Sequence, residues 1–143
     1  MEMVEKFRQI AETFGWVFIY GRKDYQNLVE ADDDNDEKWY FFLDPVTTDN
    51  SKKEEPTHEG YFMILSKSEL DEEYDGSNED EINEGKWRKN IQPKRLFFDE
   101  KFRGEIECSG DFEFIKSRLT DVINFFDDNM DGILCNYIIK QYK

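Results

Sequence analysis

Apolar residues first recur at helical spacing. Met3, Phe7, Ile10, Ala11 and Phe14 fall three and four apart with charges between them, which predicts an opening helix. Gly15 follows and can take the left-handed conformation that stops a helix. The pattern then changes. Trp16 to Tyr20 is a run of β-formers, apolar on both faces, and reads as a strand inside a sheet covered on both sides. A second strand is expected from Trp39 to Leu43, closed by Asp44 and Pro45. Residues 46 to 57 read as a projecting polar loop. A third strand is expected from Gly60 to Leu65.

Further along, Phe112, Ile115, Leu119, Val122 and Phe126 recur at steps of three and four. That spacing predicts a second helix, capped by Ser109 or Asp111 and ending near Asp127. A last strand is expected from Ile133 to Ile139, with a short one near Arg103 to Cys108. The order helix, three strands, charged excursion, helix, strand predicts an α+β domain, two helices on a mainly antiparallel sheet. Its expected core is Phe7, Ile10, Phe14, Val17, Ile19, Phe41, Ile64, Ile115, Leu119, Val122 and Ile133.

Length and composition bound this picture. A chain of 143 residues suits one domain. Thirteen Phe, seven Tyr and three Trp argue for a packed core despite a charged fraction of 37%. The net charge of −15 argues against sequence-specific nucleic-acid binding and against docking on anionic membranes. The N-terminal residues lack the pattern of a secretory signal, no apolar run is long enough to span a bilayer, and the expected place of synthesis is the cytoplasm. Cys108 and Cys135 form no metal or redox motif and read as two reduced thiols.

The charges are segregated along the chain. Residues 67–85 hold nine carboxylates against one lysine. The following block, to residue 103, is basic and aromatic. Within it Lys86, Trp87, Arg88, Lys89, Phe97 and Phe98 are the candidate intersubunit residues, because an acidic block on one copy could meet a basic block on the next. Intramolecular neutralisation is the competing use of the same charges. The run Asp32 to Glu37 reads as a solvated loop.

Catalytic patterns are not found. His58 stands in a polar segment and reads as a solvated side chain. No serine lies in a nucleophile elbow, and there is no phosphate-cradling glycine loop. The expectation is a non-enzyme without a cofactor. One metal-like pattern occurs: Asp127, Asn129, Asp131 and Gly132 match the first positions of a calcium loop. Ile138 stands where the bidentate carboxylate should be, so a polar turn closed by Gly132 is the expected reading. Asp71, Glu73, Asp75 and Gly76 make a weaker version.

The element order, the strands Trp39 to Leu43 and Gly60 to Leu65, the Ile91-Gln92-Pro93 block and the Phe126 to Gly132 segment together resemble ring proteins of tailed bacteriophages. These are the tail terminators and head–tail neck connectors, here of the type found in phages of gut Bacteroidetes. The resemblance implies a structural virion subunit that contacts copies of itself and other neck and tail proteins around the DNA channel. It implies no catalytic residue. The alternative from composition is a monomeric acidic inhibitor, such as a toxin immunity protein or a DNA mimic, that docks on a basic protein surface.

Overall fold

The computed structural model describes residues 1–26, 38–68, 84–126 and 129–143. The run Asp32 to Glu37, most of the acidic 67–85 block with its calcium-like pattern, and Asp127 lie outside the described residues. The fold is α+β with a mostly antiparallel sheet. Helix α1 is Met3–Thr13, strand β1 Val17–Tyr20, helix α2 Lys23–Gln26, strand β2 Trp39–Leu43, strand β3 Thr47–Asp49 and strand β4 Thr57–Lys67. A helical rod over 87–107, called α3 below, precedes the long strands β5, Phe112–Phe125, and β6, Met130–Gln141. The sheet runs β1-β2-β4-β6-β5, with β3 paired to the outer end of β4. Only the β1–β2 pairing is parallel among those described.

Helices α1 and α3 cover one face of the sheet. α1 buries Met3, Phe7, Ile10 and Ala11 there, as its spacing predicts. The Phe7 ring meets Phe41, Phe62 and Tyr137 at centroid distances of 5.6, 5.5 and 5.3 Å. Aromatic contacts of this kind add about 0.5–1.5 kcal/mol each beyond the area they bury. α3 contributes Ile91, Phe98, Phe102 and Ile106, all fully buried. Three of these follow at steps of four, which overshoot a 3.6-residue turn by about 40° each. Wide π-type turns at Trp87–Ile91 and Phe98–Phe102 take back that drift and keep the side chains on the sheet. Pro93, which has no N–H to donate, follows directly on the first of these wide turns.

Several expectations are corrected here. The second helix is not at 112–126, which is strand β5; it lies earlier, in α3. The short strand expected near Arg103 to Cys108 is the helical end of α3. β1 is an edge strand rather than an inner one, although Phe18 packs on one face and Val17 and Ile19 on the other. The polar stretch from 46 to 57 is a hairpin, with β3 paired back onto β4. Within the expected core, Phe14, Val17 and Leu119 are half-buried, and Ile115 is 52% exposed. Ile115 sits at a bulge between Phe114 and Lys116, where the ladder skips one residue and turns its side chain out. The remaining expected core residues are buried.

Both thiols are free, Cys108 exposed and Cys135 buried. Burial pushes the Cys135 thiol up to about 12. No helix among the described residues is long and apolar enough to cross a membrane.

Candidate functional site

Two places hold polar chemistry that the fold does not consume in ordinary packing. The first is a chain of polar groups, buried except for Asn124, where α3 meets the ends of β4, β5 and β6. Lys94 is 1% exposed. Its Nζ donates to Ser66 Oγ at 2.7 Å and to the Asn90 carbonyl at 2.5 Å, and lies 4.9 Å from the centre of the Trp39 ring. Asn90 Nδ2 donates to Asp131 Oδ2 at 2.9 Å, and the Asn124 backbone N–H donates to Asp131 Oδ1 at 2.8 Å. Lys86 Nζ closes the chain on Asn124 Oδ1 at 2.6 Å. Burial pulls Lys94 down to about 7, against the attraction of Asp131, which favours the charged amine. Asn124, Phe126 and Asn129 all have positive φ, at 53°, 63° and 52°. A left-handed phenylalanine costs conformational energy; its ring packs on Phe42 and Phe125, at centroid distances of 5.1 and 4.5 Å. The cluster therefore fastens a strained β5–β6 turn to α3. An amine enclosed this completely is held for that fastening.

This cluster redefines two groups of sequence candidates. Asp131 is fully buried, and both its carboxylate oxygens accept from protein donors. Asn129 lies in the turn, and Gly132 lies within β6 rather than closing a loop. Among the described residues no group of three or more His, Cys, Asp or Glu is placed to hold a metal ion. Titration with Ca²⁺ by calorimetry is expected to give no heat of tight binding. A dissociation constant in the micromolar range would contradict this assignment of Asp131.

The interface candidates are also redistributed. Lys86 belongs to the cluster and Phe98 to the core, so neither is available to a neighbour. Trp87 is half-buried against the core. Phe97 is half-buried, with its ring 4.8 Å from Phe14, 5.3 Å from Trp16 and 5.6 Å from Trp39. Arg88 is exposed and paired with Glu84 at 2.6 Å; Lys89 is exposed. The basic block is thus spent largely on intramolecular packing.

His58 is not a solvated side chain. It is 4% exposed, with Nδ1 2.8 Å from Thr48 Oγ1 and Nε2 2.8 Å from Gln141 Oε1. Gln141 Nε2 in turn donates to the Met1 carbonyl at 2.9 Å, which ties the N-terminus to β3, β4 and β6. Alternation along β4 points His58 to the helix side, together with Phe62 and Ile64.

The second place is the opposite face of the sheet. At one end it is covered: Phe126 packs on Phe42, Lys23 lies 4.6 Å from the centre of the Phe125 ring, and Tyr40, Met63 and Leu65 are buried. Towards the other end no described residue covers it. There Thr47, Glu59, Tyr61, Asn136 and Ile138, with Lys116 and Arg118 of β5, line an open concavity of about 500 Å³. The bulge at Ile115 sets the direction of the two cations. It shifts the frame of β5, so that Lys116 pairs with Ile138 and Arg118 with Asn136 on the open face. Neither cation forms an ion pair with a described residue. The Tyr61 hydroxyl is raised by burial and by its hydrogen bond to Asp44. Sequence reasoning missed this face because it read β5 as a helix.

No protein family, curated protein or solved structure matches the chain.

Proposed function

We propose that the chain is a structural subunit of a phage tail-terminator or head–tail connector ring, located in the virion and contacting copies of itself and neighbouring neck and tail proteins. The observation that carries this reading is the asymmetry of the sheet. One face is covered by α1 and α3, and the described residues leave the other open around Tyr61, Ile138, Lys116 and Arg118. A sheet face that keeps half-exposed apolar groups beside exposed cations with no ion-pair partner among the described residues suits a protein neighbour better than bulk water. The element order roughly fits the reading, with the second helix earlier than the spacing suggested and with α2 and two strands, β3 and β5, added. An excess of carboxylates fits a subunit beside a DNA channel, where DNA must slide rather than adhere.

The test is composition. Extensively purified virions, digested and analysed by mass spectrometry, are expected to contain this chain in stoichiometric amounts with tail or neck proteins. A chain found only in the soluble fraction, in a one-to-one complex with a basic protein, would favour the acidic-inhibitor alternative instead.

A further inference from the structure

We infer that successive copies of the chain associate front to back, with the open sheet face of one copy seated on the helix layer of the next. The inference rests on the ring reading and specifies which surfaces make the ring.

The argument is charge complementarity across the two layers. Lys116 and Arg118 are exposed on the open face without an ion-pair partner among the described residues, in a chain whose net charge is −15. A second copy carries the complement on its other side. The helix layer exposes Glu12 of α1 and Asp99, Glu100 and Glu105 of α3, and none of these forms an ion pair with a described residue. The same layer also exposes cations: Arg88, paired with Glu84, and Lys89 at the start of α3, and Lys101, which lies against the Phe97 ring, 5.6 Å from its centre. Apolar groups accompany both surfaces. Leu96 is 51% exposed on the helix layer, and Tyr61 and Ile138 are half-exposed on the sheet face.

Geometry fixes the type of contact. The two surfaces lie on opposite sides of a two-layer unit, so one copy cannot satisfy both with the same neighbour. The contact is heterologous, and it repeats until it closes into a ring or continues as a filament. The sheet edges are poorer candidates. β1 offers four residues, and β5 is interrupted by two bulges and carries Glu113, Lys116, Arg118 and Asp121, features that discourage edge-to-edge pairing. Glu107 also accepts the outward Phe114 N–H.

Two surface variants test this. One carries Lys116→Glu and Arg118→Glu; the other carries Glu100→Lys and Glu105→Lys. Circular dichroism checks that each keeps the fold. Sedimentation equilibrium of the full chain, up to millimolar concentration at low salt, is expected to show self-association that weakens as salt rises. Each variant alone is expected to associate at least about tenfold more weakly than wild type, because like charges then face each other. An equimolar mixture of the two variants is expected to recover association, since each reversed face meets its complement on the other variant. A wild-type chain that stays monomeric throughout, or variants that associate as wild type does, would overturn the inference. A traced ring whose copies meet through other surfaces would overturn it while leaving the ring reading intact. Absence of the chain from virions would remove the ring reading itself.

Discussion

Gly132→Ala is expected to be among the most damaging single substitutions in the chain. A β-carbon at Gly132 would stand 1.9 Å from the Ile64 carbonyl oxygen and 3.0 Å from the Leu65 Cα. Both obstacles are backbone atoms of β4, the central strand, which cannot move aside as a flexible side chain can. β4 pairs with β6 over the whole stretch from Thr57 to Lys67, so a local shift would disturb the ladder on both sides. Overpacking in a well-packed core costs about 1–3 kcal/mol, and a backbone clash of this kind belongs at or above the top of that range. Against a typical total of about 5–15 kcal/mol, that loss should be visible as a clear drop in the urea midpoint. A midpoint unchanged from wild type would mean that β4 and β6 do not approach so closely here.

The second large effect is the pH dependence of stability set by Lys94. Its amine is held down to about 7 in the folded chain, against 10.5 for the free side chain. Between those values the unfolded chain binds a proton that the folded chain does not, so stability rises with pH. Below pH 7 both states bind the proton, and the full cost of burying the charge remains. Above pH 9 an opposing contribution begins. The Cys135 thiol, raised from 9.0 to about 12, keeps its proton in the folded chain while the unfolded chain loses one. Tyr137, raised by burial, adds to this at higher pH. The lysine contribution is therefore cleanest from pH 7 to 9, where wild type should gain about 2 kcal/mol. Lys94→Met should abolish that gain. The group facing the amine across the cluster is Asp131, with Ser66, Asn90 and Trp39 completing its surroundings. Urea titrations of both proteins across this range are the check. An equal slope in the two would mean that Lys94 is not buried as described.

These two residues also mark where the sequence was legible. The opening helix, the strand that follows it and the strands expected at Trp39–Leu43 and Gly60–Leu65 each carry an unbroken local pattern, and each forms there, the last extended to Thr57–Lys67. β5 does not carry one. Its bulges after Phe114 and after Val122 each shift the two-residue alternation by one or more positions. What is left, Phe112, Ile115, Leu119, Val122 and Phe126, imitates a helical period although a strand lies beneath it. The aromatic and β-branched content of that stretch was the contrary signal. α3 was hidden for the opposite reason. Its repeated steps of four, a proline and a dense run of charge disguised a helix whose wide turns follow no standard period.

The site was less legible than the fold. Lys94 and Asp131 are distant in sequence, and only the docking of α3 on the sheet joins them through Asn90. Gly132 looked like a turn glycine because a turn-like acidic run precedes it; its need for a bare Cα comes from the neighbouring strand. Lys116 and Arg118 gave no signal as a pair until the Ile115 bulge placed both on the open face.

The most direct test of the structural-subunit proposal is an image of the assembled virion at a resolution that traces chains. The expected result is a closed ring of copies of this chain at the end of the tail or at the head–tail junction, with Lys116 and Arg118 of each copy facing Glu100 and Glu105 of the next. Particles that lack the chain, or that hold it as isolated copies with no cyclic arrangement, would contradict the account.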